Sequence, residues 1–216
     1  MATEEPDRGR SQRDWLEIIA TVILSLAGVA TAWSSYQATR WNGETTKTTS
    51  RVNAARIDAA RAGDLATSQT QIDVATFIQW VDARASGDVE LEDFSVDRFR
   101  DEFRPAFDAW LATDPLVDPD APRTPFVMDE YSLAAAEEAQ QLDAEAEALS
   151  AVVRRNVERA GNYVLGVVLF AVALFFAGMS ARLSGRGART ALLAVSGIVF
   201  VGTAVWVATS PVSVAI

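Results

Sequence analysis

The chain has 216 residues, half of them apolar, with 29 acids, 19 bases, no histidine and no cysteine. Without histidine or cysteine there are no thiol nucleophiles, disulfides, iron-sulfur ligands or histidine general bases, and zinc sites built on those residues are excluded with them. A formal charge of -10 beside so much apolar sequence means the two characters are separated along the chain.

Ile18 to Trp33 is uncharged, with Trp15 and Tyr36 at its flanks where aromatic rings favour a water-lipid boundary. Trp15 to Tyr36 is 22 residues, roughly 33 Å of helix, enough to cross a hydrocarbon core of about 30 Å. Tyr163 to Met179 and Ala191 to Ala208 are two further uncharged runs separated by a short polar turn, which predicts an antiparallel pair of spans. A cleavable signal peptide competes for the first run, since Ala30-Thr31-Ala32 has small-residue spacing. The leader, however, mixes Glu4, Glu5, Asp7, Asp14 and Glu17 with its arginines, and the flanking aromatics favour a permanent anchor.

The expected order is a cytoplasmic tail at 1–14, a first transmembrane helix at 15–40 and an extracytoplasmic acidic helical domain at 41–160. A second transmembrane helix at 161–183, a cytoplasmic loop at 184–189, a third transmembrane helix at 190–209 and an extracytoplasmic tail at 210–216 follow. Direction comes from Arg8, Arg10 and Arg13 in the tail and Arg182, Arg186 and Arg189 around the loop, which belong inside. The expected fold class is therefore all-α, with three transmembrane helices and a long extracytoplasmic antiparallel helical hairpin capped by short helices.

Residues 41 to 160 hold 24 acids and 12 bases, which makes nucleic acid and anionic lipid surfaces poor partners for that segment. Asn42 to Arg84 is proline-free and reads as an amphipathic helix, with Leu65, Ile72, Val74, Phe77, Ile78 and Val81 as its apolar positions and Gly43 and Gly63 as candidate interruptions. Ser86-Gly87-Asp88 marks a turn. Phe99, Phe103, Phe107 and Trp110 then share one helical face, bent at Pro105, and are expected to form a small apolar core, with a ligand groove as the alternative. Pro115, Pro119, Pro122 and Pro125 impose an extended connector.

The return helix is expected from about Ser132 to Leu183, because a four-three spacing runs from Ala135 through Ala139, Leu142, Ala146, Leu149, Val153, Asn156, Ala160 and Tyr163 to Ala177 and Ala181. This coiled-coil-like seam has one strongly polar member, Asn156, a candidate for fixing helix register. On the first span, Thr21, Ser25, Gly28, Ala32, Ser35 and Thr39 form a small, mildly polar stripe, suited to helix packing, with Ala173, Ala177 and Ala181 as a mate, or to lining a pore. No charge interrupts the middle of any span, which counts against an ion pathway.

Asp114, Asp118 and Asp120 could converge on a hard cation, but lack the turn glycine and distal glutamate of an EF-hand. Gly185 and Gly187 in SGRGART follow no strand and read as a turn rather than a phosphate loop. No serine sits in a nucleophile elbow, and Lys47 is the sole lysine, so no catalytic residue, metal or cofactor is expected.

WSSYQATRWNGE at Trp33 to Glu44, joined to WLEIIATVILSLA before it and FRPAFDAWLATDPL and FFAGMS after it, resembles a family of uncharacterised bacterial three-span inner-membrane proteins. The resemblance covers nearly the whole length and implies the topology and a bacterial envelope setting, with no assigned activity and no catalytic residues. The chain is thus expected to be an interaction or accessory subunit in the inner membrane, contacting lipid and a protein partner or further copies of itself. A homo-oligomeric channel or transport component lined by the first-span stripe is the alternative.

Overall fold

The computed structural model describes residues 8–183 and 185–213, with side-chain environments from Trp15 onward. The described residues are helical, without strand: α1 Arg8–Ser86, α2 Val89–Asp97, α3 Arg104–Leu111, a 3₁₀ turn Pro125–Val127, α4 Ala134–Arg182 and α5 Arg186–Ala208. Three of these helices, α1, α4 and α5, are long and apolar enough to cross a membrane. α4 begins and ends within two residues of the expected bounds.

α1 runs 79 residues without a break, passing through both candidate interruptions. A side chain at Gly43 or Gly63 would meet nothing within 4 Å, so both glycines sit on an open face. Glycine costs about 1 kcal/mol in a helix, and a long cooperative helix absorbs it at two separate positions. The helix stops where the sequence places a turn: Gly87 adopts φ +74, a left-handed conformation that glycine adopts readily. There the Gly87 and Asp88 amides donate back to the Arg84 and Ala83 carbonyls at 3.3 and 3.1 Å. Asp88 then caps α2, its carboxylate accepting the Leu91 amide at 3.1 Å.

The chain divides into two compact units. The first, residues 1–49 with 150–216, is a three-helix unit made of the early part of α1, the later part of α4, and α5. Ala20, Ala27, Ser34 and Trp41 are its buried line on α1, spaced seven apart. On α4 the buried positions are Asn156, Ala160, Tyr163, Gly166, Phe170, Ala173, Ala177 and Ser180. The expected seam matches this line to Tyr163. Beyond it, the buried residues fall one position earlier, at Gly166, Ala173 and Ser180, while Val167 and Leu174 are half-buried and Ala181 is exposed. Ala160, Tyr163 and Gly166 make two three-residue steps in succession, a stammer that brings the packed line one position earlier than the expected four-three pattern.

The second unit, residues 50–149, holds the later part of α1, α2, α3, the connector and the start of α4. Its α1 face departs from the expected one. Leu65, Ile72, Ile78 and Val81 are exposed, whereas Val52, Ala55, Ala59, Ala62, Ala66, Phe77, Trp80 and Ala83 are buried. Alanines at four-three spacing let a neighbouring backbone come close, and that spacing, not side-chain bulk, selects the packed face. Ala66 packs with Leu133 and Ala135 at the start of α4.

Candidate functional site

At one end of the second unit, Phe77 and Trp80 of α1 enter a cluster with Phe99, Phe103, Phe107 and Trp110. The four expected stripe residues are at most 4 % exposed, but they do not share one helical face: only Phe107 and Trp110 lie on α3, while Phe99 and Phe103 come from the bend between α2, which ends at Asp97, and α3. Pro105 occupies the first turn of α3, as its missing N–H allows. Rings meet edge to face, Phe77 on Trp110 at 5.3 Å and Trp80 on Phe107 at 5.0 Å between centroids, while Phe126 from the connector stacks on Phe103 at 5.2 Å. The Trp110 indole donates to the Pro122 carbonyl at 2.7 Å, tying the proline-rich connector to the cluster. These rings fill one another's space as an apolar core.

Beside this core lies a polar knot that the sequence reading missed. Asp73, with its side chain fully buried, accepts from the Arg100 guanidinium at 2.9 Å and from the Tyr131 hydroxyl at 3.1 Å, both on Oδ2. Arg100 also pairs with Glu102, and Glu102 accepts the Ala134 amide at 3.2 Å, capping the start of α4. One buried carboxylate thereby links α1 to the α2–α3 bend and to the connector. Its second oxygen, Oδ1, is buried with no hydrogen-bond partner among the described residues. Burial raises the Asp73 pKa above the usual carboxylate value, against the opposing pull of Arg100, and burial likewise raises that of Tyr131. The one signal in the sequence was an aspartate seven residues after Ala66 and seven before Trp80, a polar residue on a buried line.

The first-span stripe lies on a different face of α1 from its buried line. Thr21, Ser25, Gly28, Ala32, Ser35 and Thr39 are all exposed. The expected mates do not meet it: Ala173 and Ala177 are fully buried, and Ser196 of α5 donates to the Ala173 carbonyl at 2.7 Å. The physical reason is phase, since Ala20, Ala27 and Ser34 present a face as small as the stripe and take the packing instead. Thr21, Ser25 and Thr39 return their hydroxyls to carbonyls one turn back on α1, at 2.8, 2.9 and 3.0 Å, so none needs a partner in an apolar medium. Among the glycines of this unit Gly166 has the least room: an added Cβ would sit 2.9 Å from Val207 of α5 and 3.7 Å from the Ser34 hydroxyl of α1.

Asn156 is 4 % exposed and thus faces the interior rather than solvent. Asp114 has φ 49, and Asp118 accepts the Asp120 amide at 2.9 Å, a local turn. No group of three or more acidic side chains gathers into a metal-binding arrangement among the described residues. Gly185 stands just before α5 and Gly187 in its first turn; Ser184 lies outside the described residues. At the opposite end of the SGRGART run, Arg189 is buried and lies 3.6 Å from Glu17 of α1.

The WSSYQATRWNGE segment divides by face: Trp33 and Tyr36 are about half exposed, whereas Ser34, Gln37, Ala38 and Trp41 are buried. No family model matches the chain, and neither a curated protein nor a solved structure is similar to it.

Proposed function

We propose that the protein is a multi-pass membrane protein of the bacterial inner membrane and serves as an interaction or accessory subunit. Residues 1–14 and the 184–189 loop are cytoplasmic; residues 41–160 form an acidic, antiparallel helical hairpin outside, capped by α2 and α3. The supporting observation is the outer surface of the three-helix unit, where Val29, Phe175, Ile198, Val201 and Val205 are 58 to 73 % exposed. In water such a surface would associate or aggregate, whereas hydrocarbon accepts it without cost. The arginines at 182, 186 and 189, with no acid from 181 to 189, support the direction.

The polar knot is closed around its own partners Arg100 and Tyr131 and the aromatic cluster is filled by its own rings, which supports a scaffold role over catalysis. Cysteine scanning tests the topology in a chain that has no native cysteine. Ser86→Cys and Thr113→Cys should react with an impermeant maleimide in intact spheroplasts, and Ser184→Cys only after permeabilisation; the reverse pattern would invert the assignment. Gentle-detergent purification from native membranes should recover a stoichiometric partner, and recovery of a lone monomer would remove the accessory-subunit reading.

The exposed first-span stripe favours one second reading, a homo-oligomeric channel or transport component in which copies meet along Thr21 to Thr39. Because Gly28 has open space around it, Gly28→Leu leaves the monomer intact and acts only on contacts between copies. Unchanged oligomer size and absent conductance in planar bilayers would eliminate this reading.

A further inference from the structure

After α5 the chain turns at Thr209 and Ser210, and its next residues lie against the end of the three-helix unit. Three buried side chains on two different helices hold them there. The Trp41 indole N–H and the Tyr163 hydroxyl both donate to the Pro211 carbonyl, each at 3.2 Å. Two residues on, the Ser213 amide donates to Gln37 Oε1 at 3.0 Å. Gln37 and Tyr163 are 1 % exposed and Trp41 8 %, so none can readily exchange its partner for water. Val212 between them is 45 % exposed and the Pro211 ring is exposed too, so the segment is held through its backbone and not by burying its side chains.

The arrangement reads only backbone. A carbonyl oxygen has two lone pairs, and both donors of the pair are spent on one such oxygen. The acceptor sits where the next inward-facing N–H of an extended strand arrives. Pro211 fixes its own φ and needs no donor for an N–H it lacks. We propose that this end of the three-helix unit is a docking site for one extended stretch of peptide backbone, and that residues 211–213 are its resident occupant, a strap joining α5 to α1 and α4. Releasing the strap would leave two buried donors and one buried acceptor unpaired, which holds the equilibrium closed. Arg159, placed 4.6 Å over the Trp41 ring, braces the same indole from its face. The site accounts for buried Gln37 and Trp41 in the WSSYQATRWNGE segment, which the packing of α1 against its neighbours alone does not require to be polar.

The test uses the full chain in detergent with Val212→Cys carrying a nitroxide, the only thiol present. Strap mobility is read from the spectral line shape. Tyr163→Phe deletes one hydroxyl and nothing else, and should raise the mobile fraction about twofold to tenfold, the yield of one hydrogen bond. Trp41→Phe with Tyr163→Phe should raise it further, and Gln37→Leu in that background should leave the label fully mobile. Tyr36→Phe, on the exposed side of α1, should change nothing. Should the double variant fail to fold, Tyr163→Phe alone decides the matter. An unchanged line shape in Tyr163→Phe with helicity intact would overturn the strap.

Discussion

The two units of this chain both pack helices through small residues but differ in what they turn outward. In the three-helix unit Ala20, Ala27, Ser34, Ala173, Ala177, Ser180 and Ser196 line the interior beside Trp41, Tyr163 and Phe170, while Phe175 and Ile198 face outward. In the second unit Phe103 and Trp80 are at most 2 % exposed, and residues 50–149 carry 22 acids against 8 bases. Small interior residues let helices approach closely where hydrocarbon outside removes the drive to bury bulk; aromatic interiors and charged exteriors are the answer to water. The difference shows what each unit is asking of its neighbours, and substitutions can be chosen to break one without the other.

The largest expected effect is in the aromatic core. Phe103→Ala removes a fully buried ring and should cost about 3–5 kcal/mol, seen as loss of near-UV circular dichroism and faster amide exchange in residues 50–149. Exchange in the three-helix unit should be unaffected; a uniform loss across both would show that the two units do not unfold separately.

Next comes Gly166, the glycine with no room for a side chain. Gly166→Ala places a methyl 2.9 Å from Val207 and should destabilise the three-helix unit by about 1–3 kcal/mol, measured as a lower unfolding midpoint in detergent. Gly28→Ala, with open space around it, should be neutral or slightly stabilising through helix propensity. Equal effects at the two glycines would contradict the packed faces described above.

The Asp73 knot gives a smaller, pH-dependent effect. Its folded carboxyl has a raised pKa, so between that pKa and the unfolded value of 3.8 the folded state holds more proton. Stability from this group therefore rises as pH falls through that window and levels off below it. Asp73→Asn does not titrate, so the native chain should gain stability relative to the variant on acidification from neutral pH. A stability difference independent of pH would show that Asp73 is not buried as described.

The smallest effect is expected at Asn156. An amide on an otherwise apolar line lowers stability while specifying alignment; Asn156→Leu should raise the unfolding midpoint and, where copies or helices have alternative registers, broaden the transition. A lower midpoint would mean that the amide is satisfied by a partner whose loss outweighs the gain.

Much of the helical framework was legible because it depends on local features. Uncharged runs with aromatic flanks marked the three apolar helices, Gly87 and Asp88 marked the end of α1 and the start of α2, Pro105 marked α3, and the spacing of Phe99, Phe103, Phe107 and Trp110 marked the aromatic core. Two things were not legible, and both for the same reason. The packed face of α1 went to alanines instead of Leu65 and Ile72, and the small face that packs was Ala20, Ala27 and Ser34 instead of Thr21, Ser25 and Gly28. A helix with two small faces gives no sign, residue by residue, of which one a neighbour will take.

What the sequence by itself determined was the three apolar runs, the break at Gly87, the bounds of α4 within two residues and the separation of apolar from acidic segments, since these follow from hydropathy, capping and backbone restriction within a few residues. Only the tertiary structure decided the partners of Asp73, 27 residues from Arg100 and 58 from Tyr131, and those of Pro211, 170 residues from Trp41. Such bonds join groups whose proximity is set by how whole helices pack, and no local pattern of residues carries that distance.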